Sequence, residues 1–250
     1  MNFKNMYAYN LYEDRKSLII FYGVIASIYL MFIIANMLIN GDSSIGGMEM
    51  SSFIFLFVMG LNSFKSNFHF GLTNGVSRKT QFLSYAATAL TLGIIMAVMD
   101  IVISKLVAFV VPPNSLYLQL YGQRYSSFVA PLSFLNHVQI IMEQFLWYTF
   151  LYSAVAMLGY CITLIYYRST LILKWIVSVI PFLLLFVVFP YVETITQGAV
   201  SQFIGNFISR TMGFAGQTIN PFIAIMSFII GYLIFGAISF LLVRRAVVKQ

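Results

Sequence analysis

Apolar runs of roughly twenty residues alternate with short polar breaks along almost the whole chain. Leu18–Ile39 is the first and stops at Asn40-Gly41-Asp42. A run of about 20 apolar residues, rising 1.5 Å each as a helix, crosses a hydrocarbon core of about 30 Å. The pattern predicts an all-α integral membrane protein with six transmembrane helices, at about 18–39, 51–64, 81–104, 138–167, 171–191 and 221–243. The short alternating segments of a membrane β-barrel are not found. The second run looks short, but Lys65 can snorkel and the helix can continue toward Phe70. Ala89, Gly93 and Ala97 recur every fourth residue in the third span, a ladder that lets another helix approach closely in lipid. Pro112-Pro113 ends that span, and a Tyr- and Ser-rich outer loop, Asn114–Asn136, carries Arg124 and Pro131. Pro181 predicts a kink in the fifth span.

Three segments fall outside this rhythm. Residues 1–17 carry Phe3, Tyr7 and Leu11 four apart among polar neighbours, which predicts an amphipathic helix lying at the membrane surface. Residues 193–220 are too apolar for a plain loop and too interrupted for a span. Phe203, Ile204, Phe207 and Ile208 form a helical stripe there, and the expectation is one or two re-entrant half-helices before the last span. Residues 64–80 read FKSNFHFGLTNGVSRKT, with Phe64, Phe68, Leu72 and Val76 every fourth residue and a break at Asn74-Gly75. The spacing predicts a short amphipathic helix, a turn, and a new helix capped at Ser77 or Thr80.

Composition narrows the class. Hydrophobic residues make up 60% of the chain and charged residues 8%, against about 45–50% and 25% in soluble proteins. The net charge of +7 does not mark a nucleic-acid binder, because the basic residues stand singly or in pairs at the ends of apolar runs. All of the 14 except Lys105, Arg124 and Arg210 fall on one side of a six-span model. That bias places both termini and residues 64–80 in the cytoplasm. The first apolar run is too long for a cleavable signal and is expected to stay as an anchor. Cys161 stands alone in mid-helix, so no disulfide within the chain is expected.

Little catalytic chemistry is visible. There is no GxxxxGK[ST] phosphate loop. His69 and His137 fall on opposite sides of the membrane in this topology, and no metal site is expected. Asp100 comes out about 28 Å beyond Gln81, near the outer surface. Lys105 and Glu143 fall there too, and all three are expected to be interfacial charges that stay wet.

FGLTNGVSRKTQF, residues 70–82, resembles the inner segment between the second and third spans of bacterial ABC-2 type transporter permeases. The layout is similar as well: an interfacial N-terminal helix, six spans, a re-entrant segment before the last span and a basic tail. The resemblance implies a permease subunit of an ATP-binding cassette exporter in a bacterial cytoplasmic membrane, not itself an enzyme. It implies two separate ATPase subunits beneath, holding the ATP and Mg²⁺, with no cofactor on this chain. A second permease chain, identical or paralogous, would complete the path. Residues 64–80 would be the coupling element, with Phe68, Phe70, Leu72, Gly75, Ser77, Arg78 and Lys79 in or beside the ATPase contact. The lack of charge in the spans points to an apolar or amphipathic cargo, a peptide, antimicrobial or lipid. Two other functions fit the residues: an ion-coupled carrier using Asp100 and Glu143, and a membrane protein without an ATPase that gives toxin immunity or senses a toxin.

Overall fold

Gly60 and Gly159 face each other, and the two helices that carry them touch backbone to backbone. A Cβ on Gly60 would run into the carbonyl oxygen of Ala156, and one on Gly159 into that of Phe57. These helices are α2, Glu49–Thr73, and α5, Phe134–Arg168. They run parallel, from Tyr152 beside Glu49 to Tyr167 beside Phe64. Lipid offers little hydrophobic drive between helices, so close van der Waals packing through small residues must supply it.

The structure is a computed structural model that describes residues 2–39, 45–110, 113–125, 134–216 and 219–244. The Asn40-Gly41-Asp42 stop, Pro112, Pro131 and the tail beyond Arg244 lie outside the described residues. The remaining long helices are α1, Phe3–Ile39, α3, Arg78–Val107, and, at the C-terminal end, α9, Pro221–Arg244. Helix α5 lies at the centre, with α2, α3 and α9 around it and α1 packed on the outside of α3. Helix α3 runs antiparallel to α5. Gly93 packs on Thr149 and Ser153, and both other rungs of its ladder, Ala89 and Ala97, are fully buried. A two-residue parallel pairing of Ile45–Gly46 with Pro113–Asn114 joins the loops at one end.

Four described helices are long and apolar enough to cross a membrane: Phe3–Leu38, Arg78–Val107, Phe134–Arg168 and Pro221–Arg244. This is a multi-pass membrane protein built from helices. The other two expected spans are helical but fall short by that measure, each for a visible reason. Helix α2 is 25 residues long but carries Glu49, Asn62, Lys65, Asn67 and His69. The fifth is divided into α6, Leu171–Leu183, a π-helical stretch, Leu184–Val188, and α7, Phe189–Ile195. The helix passes through Pro181, and the irregularity expected there falls three residues later, as the π-turn.

The amphipathic segments also differ from expectation. No separate helix covers residues 1–17, because α1 continues unbroken from Phe3 through the first span. Its inward face is Met6 and Asn10, both buried, while Phe3 is exposed. The Tyr7 hydroxyl lies 2.8 Å from Thr91 Oγ1 on α3. Within the loop after α3, α4, Leu116–Tyr121, and a 3-10 turn, Gly122–Tyr125, are held on α5 and on the segment leading into α9. Of the one or two half-helices expected in residues 193–220, the described residues show one amphipathic helix after α7, namely α8, Ala199–Thr211. Glu193 caps it through the Ser201 amide at 3.1 Å. Its apolar stripe, Phe203, Ile204, Phe207 and Ile208, is exposed.

Candidate functional site

The α2–α3 corner is held by its own backbone. The Gly75 amide donates to the Leu72 carbonyl at 3.1 Å, and the Val76 amide to the Gly71 carbonyl at 2.8 Å. This is a Schellman motif, which needs a left-handed residue, and Gly75 has φ 66°. Ser77 then caps α3, accepting the Thr80 amide at 3.2 Å. Gln81 lies over Gly71 and donates to the Val76 carbonyl at 3.0 Å. Arg78 reaches across and donates to the Arg244 carbonyl at the end of α9, 3.0 Å away.

The apolar stripe is not offered to the outside. Phe64, Phe68 and Val76 are buried inside the chain, Phe64 and Phe68 against Tyr167 of α5. The reason is that residues 64–73 are the last turns of α2, so their apolar face continues the face already packed on α5. Phe70 is half-buried and stacks on Tyr9 with ring centroids 3.8 Å apart. Leu72 and Arg78 are half-buried too, whereas Gly75, Ser77 and Lys79 are exposed. The outward surface of the corner is therefore polar and basic.

The two carboxylates expected at a wet interface are enclosed by the chain. Asp100 and Glu143 are both buried, and only Lys105 is exposed. Asp100 accepts from Tyr22 at 2.9 Å and from Tyr152 at 2.5 Å, which binds α1, α3 and α5 together. Glu49 is buried beside it, and the two line a void of about 10 Å³ with Tyr29 and Ser52. Glu143 accepts from Tyr125 at 2.6 Å, Gln139 at 2.8 Å and Tyr117 at 3.0 Å. The Arg124 Nε lies 3.8 Å away, and Arg124 also donates to the Ile219 carbonyl at 3.1 Å. A buried charge costs several kcal/mol unless it is hydrogen-bonded, and phenols supply the donors in both clusters. Burial, then the Tyr125 hydroxyl and the Glu143 carboxylate, push the Tyr117 phenol above its ordinary range.

Glu49 and these tyrosines have no counterpart in the sequence reading. Tyr117 and Glu143 are 26 residues apart in different elements, so no spacing rule links them. The available signal was the Tyr-rich outer loop facing an unpaired carboxylate. Asp100 and Glu143 are not brought together; each has its own cluster. No group of three or more His, Cys, Asp or Glu able to hold a metal occurs among the described residues. Comparison with protein-family models, curated proteins and solved structures finds nothing that matches this chain.

Proposed function

We propose that this chain is a permease half of an ABC-2 type exporter, with six spans and cytoplasmic termini in a bacterial cytoplasmic membrane. It moves an apolar or amphipathic cargo, and two separate ATPase chains, binding ATP and Mg²⁺, drive it together with a second permease chain. The observation that carries this reading is the α2–α3 corner. It is exposed, basic and locked by backbone hydrogen bonds, and each helix leaving it is packed on α5.

A nucleotide bound elsewhere can shift this chain only through a contact that differs between the two states of the machine. The corner supplies such a contact at Gly75, Ser77 and Lys79. Force applied there passes into α2 and α3 without bending the turn, because the Gly75 and Val76 amides are tied back onto α2. The buried stripe makes the joint stiff, and the exposed basic rim makes it recognisable.

Affinity purification of the tagged protein in mild detergent tests the reading. A soluble chain bearing a Gly-rich phosphate loop should come with it. Lys79→Glu, at an exposed position, should weaken that association about tenfold through charge reversal at the rim. Absence of any such chain, or unchanged association in Lys79→Glu and Ser77→Glu, overturns it. The buried Asp100–Glu49 pair favours a second reading, an ion-coupled carrier. There Asp100→Asn would abolish transport with no ATPase involved.

A further inference from the structure

Helices α1 and α2 run antiparallel but stand apart between two aromatic rungs. Phe21 stacks on Phe55 at one end, centroids 4.2 Å apart, and Tyr9 on Phe70 at the other, 3.8 Å apart. Tyr9, Glu13, Ser17 and Phe21 recur every fourth residue on α1, so the window is three helical turns or about 18 Å tall. It holds a cleft of about 330 Å³, within the range of small-ligand sites.

The lining is divided by chemistry. Phe55, Val58 and Met59 form an apolar wall, and Glu13, Asp14 and Asn67 stand among the polar groups. Two of those polar groups have a donor hydrogen already spent. The Ser63 hydroxyl hydrogen is spent on the Met59 carbonyl at 2.6 Å, and an Asn62 amide hydrogen on the Val58 carbonyl at 3.0 Å. Asn67 is 8% exposed, and its buried Oδ1 has no hydrogen-bond partner. Neither Glu13 nor Asp14 is in an ion pair among the described residues. The adjacent Arg15 guanidinium lies over the Tyr12 ring instead, 4.9 Å from its centroid. Two carboxylates and an orphaned carbonyl call for a positively charged donor. The wall beside them calls for a chain of methylenes.

We propose that this cleft binds the primary ammonium group of a cationic amphiphile, with Glu13, Asp14 and Asn67 around the nitrogen and Phe55, Val58 and Met59 along the tail. As a cargo site it rests on the exporter reading and makes the cargo cationic. As a binding site it stands without an ATPase, so the two fail separately. The same ammonium chemistry is offered by the headgroup of phosphatidylethanolamine and by free long-chain amines.

Radiolabelled dodecylamine titrated into the protein in phosphatidylcholine nanodiscs tests it, with empty nanodiscs subtracted and dodecanol as the uncharged match. The expected result is a saturable one-to-one component that dodecanol does not displace. Glu13→Gln with Asp14→Asn should weaken it about ten- to a hundredfold, the worth of a charge-assisted hydrogen bond. Ser17→Trp, an exposed residue on the rim, should fill the cleft and remove the component while leaving the carboxylates in place. Competition by added phosphatidylethanolamine assigns the site to a lipid headgroup, and lack of competition to a free amphiphile; both uphold the ammonium site. Binding no greater than to empty discs, equal displacement by dodecanol, or wild-type affinity in both variants overturns it.

Discussion

Replacing Glu143 separates a carboxylate that holds α4 and the 3-10 turn on α5 from one that carries an ion. The residue is 3% exposed and its carboxylate accepts hydrogen bonds from Tyr125, Gln139 and Tyr117. In Glu143→Ala the two phenols can still bond each other, their oxygens being 2.7 Å apart, and Arg124, 29% exposed, can turn to water. What remains is one stranded buried hydroxyl, a lost charge-assisted bond and a cavity, together about 3–5 kcal/mol. For a chain of this size that lowers the melting temperature by about 10 °C. Glu143→Gln keeps the shape and one acceptor, and should cost about 1–2 kcal/mol. Unfolding in detergent, followed by tryptophan fluorescence, reads this locally, since Trp147 packs on Tyr117 and Tyr121. An Ala variant melting within about 2 °C of the parent, or a Gln variant worse than Ala, would refute the reasoning.

Three other outcomes follow from geometry already described. Gly159→Ala should destabilise by about 1–3 kcal/mol, because its Cβ meets backbone of α2 that cannot yield. Gly231→Ala has room at 3.9 Å from the nearest atom and should stabilise by about 0.5–1 kcal/mol in the same melting assay. Gly75→Val forces a β-branched residue into the left-handed region at φ 66° and should cost about 1–2 kcal/mol, seen as faster proteolysis at the corner. Burial raises the phenol pKa values of Tyr117, Tyr121 and Tyr125 above 10.0. Their stabilisation is present in full below pH 10 and is lost as pH rises through their folded values, because the unfolded chain releases those protons first. Tyrosinate absorbance from these groups should therefore appear together with unfolding; its appearance in the folded protein would count against their burial.

Periodicity along the chain was enough to locate the long helices, the Asn74-Gly75 corner and the Gly93 ladder, since each is written in local spacing. The direction in which a face points was not. Phe64 and Phe68 read equally as a surface stripe or a buried one, and Tyr160 and Tyr167, almost a hundred residues on, decide it. Residues 1–17 differ from expectation for a related reason: nothing between Lys16 and Leu18 breaks a helix, so amphipathic and spanning parts fuse into α1. The buried state of Asp100 and Glu143 rests on phenols from distant elements. Only Asp100's depth was accessible from the rise per residue, and depth alone did not tell wet from dry. The cleft between α1 and α2 escaped notice because Glu13-Asp14 is followed at once by Arg15-Lys16, so the local charge averages to zero.

Where Gly60 meets Gly159, no side chain cushions one helix from the other. Sliding α2 lengthwise along α5 would drive carbonyl oxygens over the neighbouring backbone, so the pair has few neighbouring registers to fall into. Any displacement delivered at one end must then travel as tilt or rotation of a two-helix beam. The opposite end, where Glu49 lies on α2 and Tyr152 on α5, would swing through an arc set by the beam's length.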